Sequence, residues 1–458
     1  METETVAVIL SAGLGTRMRS ARPKALHLLA GKPLVEHVLA LAASLEPARV
    51  YIVLGHGRAE VEARVGARAI AVPQEKQLGT GHALRQAMPF IGDEADVIVL
   101  SADQPLIRPE SLRALLAERR RGAAAAFLTA VVAAPAGYGR VLRDAAGEFS
   151  GVAEEKDATP AQRAIREINA GTYCFAAAPL REALAALEPR NAQGEYYLPD
   201  ALGAMRAAGR RVATAAAEAE EALGVNDRRQ LAQAEDILYA RVRDRWLDAG
   251  VTLCAPETIR IGPDVELAPD VTILPFSMLG GRTRVDAGAT VGPYTVLEDC
   301  VCGAGAAVEQ STARQAVIGA DCVVGPYAYL RPGTVLAGGV KIGDFVEVKN
   351  SRIGEGSKVP HLSYIGDAEL GAGVNIGAGA ITCNFDGHSK HRTAIEDGAF
   401  VGSNVNFVAP VRVGRGAVVG AGSTITADVP PGALGLERSE QRVVPDWAGA
   451  ARTDANSR

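Results

Sequence analysis

Several stretches of this sequence hold residues whose type and setting suit chemistry. "SAGLGTRM" at 11–18 places two glycines and then Arg17 directly behind an apolar run, and Lys24 follows in "RPKAL". Bare glycine backbone can approach a phosphate closely, and the two cations would answer its charge. "QEKQLGTGHA" at 74–83 offers a second polar loop, and Asp103, in "SADQPL", follows the run "DVIVL" as a carboxylate holding a magnesium ion would. In "VPHLSYIGD", His361 and Tyr364 interrupt a six-residue apolar repeat that needs neither for its own packing. Histidine takes up and releases protons near neutral pH. Each feature has a plainer counterpart: the full G-x-G-x-x-G pattern is absent, aspartate is a common turn former, and a histidine on a coil can be a surface residue.

The elements around these residues change character near residue 250. Before it, short apolar runs ("VAVIL" at 6–10, "VYIVL" at 50–54, "DVIVL" at 96–100) alternate with helical patterns such as "PLVEHVLALAASL" and "PESLRALLAERR". That alternation predicts a mostly parallel sheet with helices on both faces, where ligands sit beyond the carboxyl ends of the strands. Both "SAGLGTRM" and "SADQPL" begin at such ends. A helical stretch over 227–250 carries Leu231, Ala234, Leu238 and Val242 on one face and ends at Gly250. It divides a first domain, 1–226, from a second, 251–440, and the patternless tail 441–458 is expected to be disordered.

Beyond the connector the period is six. Ile261, Leu267, Ile273, Leu279, Val285, Val291 and Leu297 follow at that step; the count restarts at Ile318 and again at Val401. Small or β-branched residues such as Val265, Val271, Ser277, Cys322, Ala328 and Thr334 come four positions later. This is the signature of a parallel β-helix, with coils stacked like strands about 4.8 Å apart. The period does not give the hand, and the usual crossover rule favours a right-handed coil. Spacing fails over 298–317, 349–353 and 383–399, which predicts loops leaving the scaffold there.

Composition excludes several partners. With 458 residues, 48% of them hydrophobic and 22% charged, and a net charge of -5, the chain reads as a soluble protein of two or three domains. Its longest basic run, Arg119 to Arg121, falls in a helical pattern, so no nucleic-acid partner is expected. No apolar segment is long enough to span a membrane, and "METETVAVIL" lacks a signal peptide's basic start, so a cytoplasmic location is expected. The scattered Cys174, Cys254, Cys300, Cys302, Cys322 and Cys383 read as free thiols.

"LSAGLGTRM", "PKAL", "QLGTGHA", "GYGRV", "EEKDAT", "EINAGTYCF", "NAQGEYYLPD" and "GVND", in that order, resemble a sugar-1-phosphate uridylyltransferase. With "LRPG", "FVEVKN", "HLSYIGDAELGAGVNIGAGAITCNFDG" and "FVGSN" behind them, the chain resembles the bacterial bifunctional N-acetylglucosamine-1-phosphate uridylyltransferases/glucosamine-1-phosphate acetyltransferases over about residues 5–440. The resemblance implies an α/β Rossmann-like nucleotidyltransferase domain followed by a left-handed parallel β-helix, and a homotrimer. It implies UTP and acetyl-CoA as co-substrates and Mg2+ as cofactor. At the first site it places Leu10, Ser11, Ala12, Gly13, Lys24, Gln74, Gly79, Thr80, Ser101, Ala102 and Asp103 on the nucleotide. Gly139, Glu154, Asn169 and Asn226 would hold the sugar phosphate, Asp103 and Asn226 the magnesium, and Arg17 and Lys24 would offset phosphate charge. At the second site the attacking amine must be neutral, which calls for a base. His361 is the only histidine of the second domain outside 388–391. Arg331, Lys349, Tyr364, Asn375 and Lys390 would hold the sugar phosphate there, and Ala378, Asn384, Phe385, Ser403, Ala421 and Arg438 the acetyl-CoA.

The chain departs from the family pattern at Ser101 and Ala102, where tyrosine and glycine are usual, at Ala170 for threonine, and at Phe385 for tyrosine. Two other readings use the same folds. A monofunctional nucleotidyltransferase with a structural or regulatory β-helix would need no base and no cation cluster on its coil. A non-enzymatic assembly protein would have no use for Lys24 or Asp103.

Overall fold

The computed structural model describes residues 3–447, and the chain divides into two compact units, Met1–Tyr239 and Ala240–Arg458. Of the tail expected to be disordered, 441–447 is exposed, and 448–458 lies outside the described residues.

The first unit is built on a mixed sheet. Its strands run in the order Val212–Ala216, Ala125–Val131, Glu167–Ala176, Asp96–Ser101, Thr5–Ser11, Arg49–Leu54 and Ile70–Pro73. Alternation along the first strand sends Val6 and Val8 into one buried cluster and Ala7 and Ile9 into another, so both faces are covered. Along this row the pairing is parallel except at Glu167–Ala176, which runs against both neighbours, and the antiparallel pair Arg140–Arg143 and Phe149–Ala153 joins the sheet beside it. Its register shifts between Asn169 and Tyr173, a bulge of the kind that re-aims a side chain. Helix Arg228–Asp248 spans the division between the units, and its Leu231, Ala234 and Leu238 pack on Leu29, Leu34, Leu106, Leu223 and Val225.

In the second unit, three parallel sheets of 11, 10 and 9 strands interleave in chain order, as the three walls of a coil must. Every hexad position named above, from Ile261 to Leu297, is at most 6% exposed, and the small residues four places later are buried with them. Two of the three expected loops are absent. Over 298–317 the buried column continues through Cys302, Val308 and Ala313 to Ile318, at steps of five, six, five and five from Leu297. The corners there lose one residue while the walls stay in register. The break at 349–353 is likewise one short step, from Val348 to Ile353. Only the third is a true excursion: Thr382 and Ile395, 13 positions apart, are consecutive members of the buried column.

Candidate active sites

The first site forms where two parallel strands end. Leu10 and Ser101 are register partners, so the loop after Ser11 and the turn carrying Ala102 and Asp103 leave the sheet side by side. Gly15 lies at φ +63°, and a Cβ there would come within 2.9 Å of the Lys24 Cβ, so the loop closes over this lysine only as glycine. One cavity is lined by Leu10, Ser11, Ala12, Gly13, Lys24, Gln74, Gly79, Thr80, Ser101, Ala102 and Asp103, every residue that the resemblance puts on the nucleotide. A second hollow shares Leu10, Thr80 and Ser101 with it and adds Arg17, Gly139, Glu154 and Asn169. Arg17 therefore lines the second hollow and not the first.

Asn226 lines neither hollow, yet it joins the site. The Val225 N–H donates to the Asp103 carbonyl at 2.8 Å, and this return of the chain brings Asn226 Oδ1 to 3.2 Å from Lys24 Nζ. Asp103 Oδ2 meets the same ammonium at 2.5 Å. Among the described residues no three His, Cys, Asp or Glu side chains cluster to hold a metal. Two oxygens converging on one positive charge are nonetheless a donor set that suits Mg2+, which keeps waters and substrate phosphates in its remaining positions.

Carboxylates crowd the second hollow. Burial first, then the nearby Asp200 and Asp157, raises the Glu154 carboxyl above the usual range, and Asp200 is raised by burial and by Asp157. Tyr197 is pushed up to about 12 by burial and the surrounding carboxylates. At the bulge, Asn169 Nδ2 donates to the Tyr173 hydroxyl at 2.7 Å and its Oδ1 accepts from the Gly171 N–H at 3.0 Å, which fixes the amide. Sequence reasoning gave no role to Glu195, which lines both hollows, or to Gln77 and Tyr197. Glu195 and Tyr197 were signalled only by their place in "NAQGEYYLPD".

On the coil, the candidate residues fall into separate groups. Arg331, Lys349 and Tyr364 belong to one wall, where Tyr329, Glu347 and Tyr364 are successive register partners. Arg331 donates to Glu347 at 2.8 Å. The excursion after Cys383 turns back on itself: His391 N–H donates to the Asn384 carbonyl, and Phe385 bridges Lys390. The turn is tied by Asp386, which accepts from the His388 and Ser389 N–H groups and from the His391 ring. This hairpin brings Lys390 against Lys349, whose ammonium is lowered chiefly by that neighbour. Asp367, 5% exposed, anchors the hairpin's base by accepting from Asn350 and Asn384, each at 2.5 Å.

A second group climbs one corner of the coil. Gly379 N–H donates to the His361 carbonyl, Asn404 to Ala378 and Gly422 to Ser403, so His361, Ala378, Ser403 and Ala421 are stacked on successive coils. Arg438 closes the column with a bond to the Ala421 carbonyl at 3.3 Å. The next position of this corner is bulky up to the coil of His361, with Tyr327, Phe345 and Leu362 all more than half exposed. On the later coils the same position holds Gly379, Asn404 and Gly422, beside Ala378, Ser403 and Ala421. Asn375 stands apart from the Arg331, Lys349 and Tyr364 wall: it lies on the wall whose strand Lys358–His361 ends at the histidine, in register with Lys358 and Phe400.

A mixed α/β sheet with a polar cavity at its strand ends, followed by a left-handed parallel β-helix of hexapeptide repeats, defines a two-domain transferase. Residues 7–202 match the family described as MobA-like NTP transferase domain, and residues 392–427 match the bacterial transferase hexapeptide. A bifunctional protein GlmU from Desulfitobacterium hafniense (strain DSM 10664 / DCB-2) is 54% identical over 96% of this chain and 98% of its own length. Those of Heliobacterium modesticaldum (51%, 97% of each chain) and Alkalilimnicola ehrlichii (50%, 98% of this chain and 97% of the other) are similar to the same extent. The chain belongs to the family of bifunctional GlmU proteins. It is an enzyme with a nucleotidyltransferase domain and a hexapeptide transferase domain.

Proposed function

We propose that the chain acetylates glucosamine-1-phosphate with acetyl-CoA on its coil and then joins the product to UTP in its first unit, releasing pyrophosphate. In uridylyl transfer the nucleophile is a phosphate oxygen that is already anionic, so placement and charge neutralisation carry the rate without a base. The glycine loop and Lys24 cradle the triphosphate, Gln74, Gly79 and Thr80 hold the nucleoside, and Gly139, Glu154 and Asn169 hold the sugar. Asp103 and Asn226 would hold magnesium, which, when bound, neutralises phosphate charge. The convergence of Lys24, Asp103 and Asn226 carries this half of the reading.

For acetyl transfer, Arg331, Lys349 and Lys390 supply positive charge for the sugar phosphate. His361 takes the proton from the attacking amine. The switch from bulky to small residues above His361 carries this half, because it leaves a line of low relief where a linear thioester can lie with its carbonyl near the histidine. A scaffold-only coil has no use for that switch. We further propose a cytoplasmic homotrimer in which a neighbouring copy supplies Asn375 to the site of Lys349, since one chain keeps the two on different walls.

Free thiol and pyrophosphate, followed separately with glucosamine-1-phosphate, acetyl-CoA, UTP and Mg2+, test the reading. Asp103→Ala is expected to abolish pyrophosphate release and spare thiol release. His361→Ala is expected to cut thiol release by about 10²- to 10⁴-fold and spare pyrophosphate release from N-acetylglucosamine-1-phosphate. A folded His361→Ala protein with wild-type thiol release refutes the acetyl half.

A further inference from the structure

Asp344, to which nothing above assigns a part, stands directly against His361. The two are register partners on successive coils, through the parallel pairing of Lys341–Asp344 with Lys358–His361. Gly343 lets the coils close there, because a Cβ at that position would come within 1.9 Å of the Pro360 carbonyl oxygen. Asp344 Oδ1 lies 2.5 Å from His361 Nδ1, and the Asp344 carbonyl accepts the Leu362 N–H at 3.0 Å, so both backbone and side chain tie the pair together. The bond to His361 is the first cause holding the Asp344 carboxyl below the usual carboxylate range. The charged groups sharing these two strands are Lys341 and Lys358; the flanking strands Val323–Val324 and Asn375–Ile376 bring no titratable side chain.

An ionised carboxylate only accepts hydrogen bonds, so the ring hydrogen of neutral His361 sits on Nδ1 and the lone pair is left on Nε2. We propose that Asp344 is the positioning residue of acetyl transfer, fixing the His361 ring and its tautomer so that Nε2 faces the amine. Its negative charge also favours the imidazolium that forms when the proton arrives. The amine nitrogen bonds to the thioester carbonyl carbon, its proton passes to Nε2, the C–S bond breaks, and the proton leaves with the thiolate as free thiol. This inference rests on His361 being the base.

Asp344→Asn and Asp344→Ala, made in the full chain, separate the roles. An asparagine carbonyl can still accept from Nδ1, so Asp344→Asn is expected to keep kcat within about tenfold of wild type. Without the carboxylate's attraction for the incoming proton, the acid limb of its kcat/KM profile moves to lower pH. Asp344→Ala loses the orientation as well, and kcat is expected to fall by about 10- to 100-fold with KM little changed. Uridylyl transfer, measured on the same preparations, stays at wild type in both. Equal losses in the two variants with an unmoved acid limb, or wild-type kcat in both while His361→Ala is inactive, overturn the inference alone. An active His361→Ala enzyme removes the base itself, and the inference falls with it.

Discussion

Glu154 shows what a buried carboxyl costs its fold. Burial and two acidic neighbours raise its carboxyl, so the folded chain keeps this proton to a higher pH than the unfolded chain does. Stability is therefore lost as pH rises from the ordinary carboxylate range through the raised value, and the whole cost is present above it. Glu154→Gln removes the charge and keeps the shape. It is expected to melt higher than wild type near about pH 8, with the gain vanishing toward about pH 4, where both forms are neutral. Calorimetry at the two pH values checks this, and an equal difference at both would sink the burial argument. The KM for N-acetylglucosamine-1-phosphate should rise in the same variant. None of this environment was legible in the sequence: "EEKDAT" named Glu154, but its distance from Asp200 along the chain hides their proximity in space. Lys24, Asp103 and Asn226 were legible as motif members, whereas their meeting depends on the chain returning at Val225.

Between elements, periodicity was readable and its failures were ambiguous. A six-residue step marks a buried wall whichever residue fills it, which is why the hexad positions could be named from sequence. A failed step has two physical causes, a corner one residue shorter or a chain that leaves the coil, and only the length of the gap separates them. Gaps of five stayed in the wall; the gap of 13 became the hairpin that carries Asn384 and Lys390. The antiparallel strand Glu167–Ala176 was equally hidden, since direction leaves no trace in an apolar pattern. The hairpin's hold on the coil runs through Asp367, whose two oxygens each accept from an asparagine amide. Asp367→Ala strands both amides, and each unmade bond costs about 1–3 kcal/mol. The expected result is a lower melting temperature for the second unit, faster proteolytic nicking within 384–391, and a raised KM for both acetyl-transfer substrates. Unchanged nicking would mean that the hairpin is held by other contacts.

For the molecule as a whole, the question is whether one chain can complete the acetyl-transfer site. Lys349 and Asn375 stand on different walls of the coil, and the corner between walls is rigid because the sheets on both sides share one buried column. The proposed cyclic assembly would solve this by setting one copy's wall against another's, so that each site would take Lys349 from one chain and Asn375 from the next. Lys349→Ala and Asn375→Ala should each lose acetyl transfer by about 10- to 100-fold, as loss of a hydrogen bond to a charged group predicts. Both should keep uridylyl transfer. When the two variants are dissociated and reassembled together in equal amounts, each interface draws its two chains at random. About a quarter of the interfaces then pair an intact Lys349 with an intact Asn375, and acetyl transfer should recover to about a quarter of wild type. If both residues served from the same chain, no mixture could restore a site, because every chain would carry one defect. Recovery that never rises above the two parent variants, in a mixture shown by mass to contain mixed trimers, would return the site to a single chain.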